Sequence, residues 1–235
     1  MTKGRLYLIP SPIGDCDPSE VIPAPVLELM QDIRVYVVED VRTARRYLSR
    51  AGLKGHIDEL EFHELNEHST QADVESLMHI FDGGRDAGLI SEAGLPAVAD
   101  PGAQLAALCH GSGIDVIPMT GPSSIMLALM ASGLNGQSFA FLGYLPVKPE
   151  ERRAALRRAE RSSAANGQTQ IFIETPYRND AMLADILQTC RGGTRVCIAA
   201  DITMPDMFIR TKTVDEWKSC RPAIGKRPCV FLLLS

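Results

Sequence analysis

The stretch Ser91-Glu92-Ala93-Gly94-Leu95-Pro96-Ala97-Val98-Ala99-Asp100-Pro101-Gly102 decides the fold of this chain. It follows the apolar run Ala87-Gly88-Leu89-Ile90 and precedes a helix-like segment, Ala103 to His110. Strand, Gly/Pro-rich turn, then helix is how an open α/β sheet places a ligand site at its strand ends. Glycine lets a ligand approach the main chain closely, and proline fixes the path beforehand. A tight βα turn with no ligand is the alternative reading of the stretch taken alone. No Gly-x-x-x-x-Gly-Lys-Ser/Thr run occurs, and no Gly-x-Gly-x-x-Gly follows the first strand. A Walker phosphate cradle and the dinucleotide fingerprint are thereby excluded. Glu92 and Asp100, with no Lys or Arg in the loop, suit a ligand without phosphates, such as a nucleoside carrying an amino-acid tail.

Outward from this loop, the first half alternates strand and helix signals. The strands read as Arg5–Ile9, Val35–Val38, Ala87–Ile90 and Asp115–Pro118, and the helices as Pro25–Gln31, Val41–Ala51, Thr70–Phe81 and Gln104–His110. Such alternation predicts a parallel sheet covered on both faces. Thr120-Gly121-Pro122-Ser123-Ser124 then introduces an apolar helix, Ile125 to Ser132. The second half offers strands within 139–143, 170–173, 195–199, 207–210 and 229–234, and helices at Glu150–Ser162 and Asn179–Cys190. The strands around 195–210 are too close in sequence for a helical crossover, so they pair antiparallel. Ser162–Gln168 reads as a surface loop. The expected architecture is α/β in two domains, a mostly parallel N-terminal one over residues 1–118 and a mixed-sheet C-terminal one over 119–235.

Composition is that of an ordinary globular protein: 235 residues, 45% hydrophobic and 23% charged, with net charge −5. No segment approaches the ~18 apolar residues of a membrane span. The apolar run at the N-terminus is too short for a signal peptide, which makes the cytoplasm the expected location and a membrane an unexpected partner. The six cysteines form no C-x-x-C pair and read as reduced, mostly buried thiols.

Several stretches, in order, resemble one family. They are Leu6-Tyr7-Leu8-Ile9-Pro10-Ser11-Pro12-Ile13-Gly14-Asp15, Val38-Glu39-Asp40-Val41-Arg42-Thr43-Ala44-Arg45, Phe62-His63-Glu64-Leu65-Asn66-Glu67-His68 and the central Ser91–Gly102 loop. Gly121-Pro122-Ser123-Ser124, Phe141-Leu142-Gly143-Tyr144-Leu145-Pro146 and Ile173-Glu174-Thr175-Pro176-Tyr177-Arg178 complete the set. Together they resemble the tetrapyrrole-methylase superfamily of S-adenosylmethionine-dependent methyltransferases, in particular the branch that 2′-O-methylates small-subunit ribosomal RNA. The chain departs from that branch's pattern at Glu92, Leu95, Ala99, Val41 and Thr43.

The resemblance implies two α/β domains with S-adenosyl-L-methionine in the cleft between them, a homodimer, and ribosomal RNA or the small subunit as partner. It also implies that Pro12, Gly94, Leu95, Pro96, Val98, Ser123, Ser124 and Glu174 bind the cofactor. Ser123 and Ser124 otherwise read as simple helix caps. A sulfonium methyl is already activated, so the protein mainly holds donor and acceptor in near-attack geometry, worth roughly 7–11 kcal/mol. A ribose hydroxyl gains from a base that takes its proton. Glu39 and Asp40 are the candidates, with Arg42 as substrate clamp, while acids placed on a helix dipole are the alternative explanation. Gly94→Val is expected to abolish cofactor binding and leave the fold intact.

His63, Glu64, Glu67 and His68 are metal-ligating types, but the spacing is not His-Glu-x-x-His and the run reads as a polar, substrate-contacting loop, so no metal is expected. Arg42, Arg45, Arg46, Arg50 and Lys54 form a basic cluster without interleaved acids, the favoured RNA contact. Arg152, Arg153, Arg157, Arg158 and Arg161 share a helix with Glu150, Glu151 and Glu160, which predicts intrahelical ion pairs. A tetrapyrrole or another small molecule is the alternative acceptor. A non-catalytic ligand- or partner-binding protein is the alternative of another class.

Overall fold

A computed structural model describes residues 3–235. The chain divides into two compact units, one ending at Ser123 and one running from Ser124 to Ser235. The change falls a few residues beyond strand β5, at the start of the helix that Ser123-Ser124 introduces.

The first unit is built on five parallel strands, β1 (Leu6–Ile9), β2 (Val35–Val38), β3 (Glu61–Glu64), β4 (Ala87–Ile90) and β5 (Val116–Pro118), in the order β3-β2-β4-β1-β5. Short runs such as Val-Tyr-Val-Val and Ala-Gly-Leu-Ile are buried at every position because helices cover both faces. Helices α1 (Pro18–Val21), α2 (Ala24–Met30) and α3 (Val41–Leu48) pack Ile22, Val26, Met30 and Leu48 against Ile9, Tyr36 and Val38. On the other face, α4 (Gln71–Ser76) and α5 (Gly102–Gly111) contribute Val74 and Leu105 against Leu6, Val37 and Leu89.

Two sequence expectations change here. Phe62-His63-Glu64 belongs to strand β3 rather than to a polar loop. It occupies the sheet edge, where charged side chains are tolerated and blunt further pairing, so the hydrophobic signal of a strand is missing. The helix expected over Thr70–Phe81 stops as an α-helix at Ser76 and continues as 3-10 turns from Leu77 to Gly84.

The second unit holds β6 (Phe139–Tyr144), β7 (Thr169–Glu174), β8 (Arg195–Ala200), β9 (Phe208–Thr213) and β10 (Cys229–Leu234), in the order β6-β7-β10-β8-β9. β6 and β7 are parallel and the other pairs antiparallel, as the short 195–210 spacing requires. Helices α7 (Pro149–Asn166), α8 (Asn179–Thr189) and α9 (Val214–Ser219) surround a core of Phe172, Phe231, Ile198, Leu156, Met182 and Trp217. Helix α6 (Ser124–Ser132) packs against β8, β9 and β10. Residues 162–166 are helical, not a loop: α7 runs on to Asn166 and ends at Gly167, whose left-handed φ of 60° makes the C-cap. Cys109, Cys190, Cys197 and Cys229 are buried free thiols, while Cys220 is exposed. Among the described residues no helix is long and apolar enough to cross a membrane.

Candidate active site

The carboxyl ends of β1, β2 and β4 enclose a cleft of about 300 Å³ in the first unit. The chain leaves β1 and β2 toward the β3 edge of the sheet and leaves β4 toward the β5 edge. That reversal opens a crevice at the strand ends, where open α/β sheets bind ligands. Pro12 and Ile13 after β1, Glu39 and Asp40 after β2, Ser91 and Glu92 after β4, and Tyr47 and Arg46 of α3 line it.

The acids at the cleft differ in what holds them. Glu39 is half-buried, and its Oε1 accepts the backbone N–H of Glu92 at 2.9 Å. Burial pushes its carboxyl above the usual range against that hydrogen bond, and the negative charges of Asp100 and Glu67 add to the rise. Glu92 is raised as well, by desolvation first and then by Glu39 and Asp40. Asp40 is lowered because the Thr43 N–H (2.7 Å, to Oδ1) and hydroxyl hold its ionised form as the N-cap of α3. The two neighbouring acids are therefore unlike: one caps a helix and is lowered, and the other is half-buried and raised.

Ser91 lines the cleft and is buried, and its Oγ has no hydrogen-bond partner among the described residues. Opposite it, the Ser11 hydroxyl donates to the Ser91 carbonyl at 3.0 Å, and Tyr47 donates to the Pro10 carbonyl at 2.7 Å. The first bond fixes the β1 loop to the β4 loop, and the second ties α3 to the β1 loop.

The central loop is held from both ends. Ser11 and Gly94 exchange backbone bonds of 2.9 and 3.1 Å as an isolated bridge. Asp100 accepts from the Ala97 N–H at 2.9 Å and the Gly102 N–H at 2.7 Å, pinning the turn and opening α5. Between these anchors Ala97 and Ala99 lie at φ 64° and 63°, left-handed conformations that cost a non-glycine residue about 1–2 kcal/mol. Val98 between them is 44% exposed, an apolar side chain held out by strained backbone. Gly94 has φ 82°, and a Cβ there would lie 3.1 Å from Ile13 Cγ2. Gly94→Val is therefore costly to the fold itself, and the expectation that it spares the fold needs correction.

Of the residues singled out from the sequence, the structure brings Pro12, Glu39 and Asp40 to the cleft. Arg42 is exposed and outside its lining, and Arg46 and Arg50 are the basic residues that line it. Gly94, Leu95, Pro96 and Val98 form the next turn of the loop, outside the cleft lining. The Pro122 carbonyl, just before Ser123, borders Gly94. In the second unit Ser124 opens α6, and Glu174 ends β7. Glu174 is buried: its Oε1 accepts from Arg178 (2.9 and 2.5 Å) and from the Thr175 N–H, while Oε2 has no partner among the described residues. Tyr47 is a lining residue that the sequence does not single out; Glu92 is expected there as part of the ligand loop, and Arg46 and Arg50 as part of the basic cluster.

The basic clusters are partly spent. Arg45 pairs with Asp58, and Arg50 pairs with Asp15 at 2.8 Å and bonds the Cys16 carbonyl. On α7 the expected intrahelical pairs do not form. Arg152 and Arg153 both reach Asp185 of α8, at 2.5 and 3.1 Å. Glu160 turns inward to the Arg191 N–H and the Thr194 hydroxyl. Arg152 and Glu160 are two turns apart on the buried face, so the fold recruits them as interior tethers.

Residues 5–218 match the family model of the Tetrapyrrole (Corrin/Porphyrin) Methylases. The ribosomal RNA small subunit methyltransferase I of Escherichia coli O157:H7 is 32% identical over 202 residues, 86% of this chain and 66% of that protein. The chain thus spans a little under two thirds of that relative's length. Among solved structures, the methyltransferase CobJ superposes with a TM-score of 0.66 at 16% identity, covering 99% of this chain and 94% of that one. A uroporphyrin-III C-methyltransferase from Thermus thermophilus, complexed with S-adenosyl homocysteine, superposes with a TM-score of 0.58 at 16% identity, covering 99% and 98%. At such identities the superpositions establish the fold.

Proposed function

We propose that this chain, which belongs to the tetrapyrrole (corrin/porphyrin) methylase family, is an S-adenosylmethionine-dependent methyltransferase acting on small-subunit ribosomal RNA, with a ribose 2′-hydroxyl as acceptor. The relative from Escherichia coli supports the RNA as substrate, and the Thermus structure supports the cofactor. The observation that carries the reading is Glu39, half-buried, raised in pKa and turned into the cleft by the Glu92 N–H.

The residues present fit a nucleoside cofactor with an amino-acid tail. The Gly94–Val98 turn offers main chain close to a glycine and an exposed apolar Val98, and Ser123, Ser124 and Glu174 are the further cofactor residues of this proposal. Pro12 is assigned to the boundary between this turn and the cleft. When bound, S-adenosylmethionine supplies an electrophilic methyl group. The chain's own task is to hold the acceptor hydroxyl and accept its proton as the new O–C bond forms. Glu39 is suited to that because a carboxyl raised toward neutrality is a stronger base than an ordinary one. Asp40 fixes the start of α3, and Arg46 rather than Arg42 faces the cleft as a phosphate partner. The proposal includes a cytoplasmic homodimer, supported by exposed Met130, Phe139, Tyr144 and Val147 in the second unit.

The test incubates the chain with methyl-labelled S-adenosylmethionine and either small ribosomal subunits, their stripped RNA, or a tetrapyrrole. Label in RNA at a position resistant to alkaline cleavage is the expected result, because a methylated 2′-oxygen cannot attack its phosphodiester. Label in the tetrapyrrole alone overturns the acceptor assignment. Calorimetric binding of the cofactor without turnover on any acceptor overturns the enzymatic reading. Light scattering at twice the chain mass is expected for the dimer.

A further inference from the structure

We infer that Glu61, His63 and His79 form a site for one divalent cation of the zinc class at the outer edge of the first sheet. Glu61 and His63 stand two residues apart on β3 and so share a face of the strand. His79, from the 3-10 turns after α4, brings the third donor, and one ligand atom from each residue lies within 4.8 Å of the other two. Zinc bound tetrahedrally at about 2.0–2.2 Å sets its N and O ligands about 3.3 Å apart. Glu61 Oε1 and His63 Nε2 are already 2.7 Å apart. Glu61 and His79 are exposed, so their side chains have room to adjust around an ion.

A second observation concerns orientation. His79 Nδ1 lies 2.5 Å from the Ser76 carbonyl, which can only accept, so Nδ1 carries the hydrogen and Nε2 keeps its lone pair. A ring nitrogen tied to a backbone carbonyl is the usual outer support of a metal-bound histidine. Arg85 donates to Glu61 Oε2 at 2.9 Å, which fixes the carboxylate with Oε1 on the side of His63. The same guanidinium opposes a cation and weakens its binding. Two imidazoles and a carboxylate select zinc over magnesium or calcium, with water completing the coordination. The bound ion would clamp β3 to the segment after α4.

The test is calorimetric titration of the tag-free full chain with zinc chloride, repeated with magnesium. Four proteins are compared: the parent, His79→Ala, Glu61→Gln, and Cys220→Ser, which removes the exposed thiol as a competing ligand. The expected result is one micromolar zinc site per chain, no magnesium binding, and at least tenfold weaker binding in His79→Ala and Glu61→Gln. Cys220→Ser should bind as the parent does. Visible spectra with cobalt should show no thiolate charge-transfer band. Unchanged affinity in folded His79→Ala, absence of binding in the parent, or loss of binding in Cys220→Ser each overturns the site.

Discussion

The Glu39 carboxylate, at the end of β2, accepts the backbone N–H of Glu92, just past the end of β4, at 2.9 Å. Neither residue could be held so by its neighbours in sequence. Two parallel strands side by side put the pair at one end of the sheet, and the bond turns a surface acid into a half-buried one aimed at the cleft.

Glu39→Gln separates catalysis from stability. The amide oxygen still accepts from Glu92, so the fold keeps its bond. Because the folded carboxyl is raised, its contribution to stability is full below the ordinary carboxylate pKa and is lost as pH rises through the raised value. Removing the charge should therefore leave Tm at pH 7.5 equal or higher. Turnover should fall roughly 10²–10⁴-fold, and the rise of kcat with pH should flatten. A pH–rate profile beside a melting curve checks both.

Ser91→Ala removes a buried hydroxyl that has no partner. A group that gains nothing from the folded protein is lost at no cost to it, so Tm should hold or rise slightly. If the hydroxyl meets a ligand, affinity for cofactor or acceptor should fall by about 1 kcal/mol, near fivefold. Calorimetry with S-adenosylhomocysteine and an RNA-binding assay read the two possibilities apart.

Ala97→Gly with Ala99→Gly relieves two left-handed alanines. Each strain of about 1–2 kcal/mol is only partly offset by the extra freedom glycine gives the unfolded chain, about 0.5–1 kcal/mol. Tm should rise by about 2–5 °C. Cofactor affinity should drop at the same time, because a looser loop must be ordered on binding. Gly94→Ala should do the reverse to stability, with a loss of about 1–2 kcal/mol from its φ of 82°.

Asp185→Ala tests the second unit. Arg152 and Asp185 are each more than nine-tenths buried and 2.5 Å apart. Stranding the guanidinium should cost about 3–5 kcal/mol in urea unfolding, and the double replacement Arg152→Met with Asp185→Leu should recover most of it.

Much of the fold could be read along the chain. Val35–Val38 and Ala87–Ile90 are strands where their apolar runs begin and end, and Gly52, at φ 107°, breaks the helical path that follows α3. Strand β3 could not be read, because an edge strand carrying Glu and His has no hydrophobic pattern. The end of α7 was misplaced because Ser-Ser-Ala-Ala-Asn looks like a loop until Ser163 is packed inside. Arg152 and Glu160 looked like a solvated pair of charges for the same reason.

The sequence by itself determined the α/β alternation, the backbone-shaping loop at Ser91–Gly102 and the resemblance that points to a methyltransferase. These rest on local chemistry: burial periodicity, glycine and proline, and the order of motifs. Only the tertiary structure decided that Glu39 faces the cleft while Asp40 caps a helix, that Arg46 rather than Arg42 lines it, and that His79 joins Glu61 and His63. Each depends on atoms brought together by sheet order across tens of residues, and the desolvation and charge that set a carboxyl's pKa exist only once those strands are side by side.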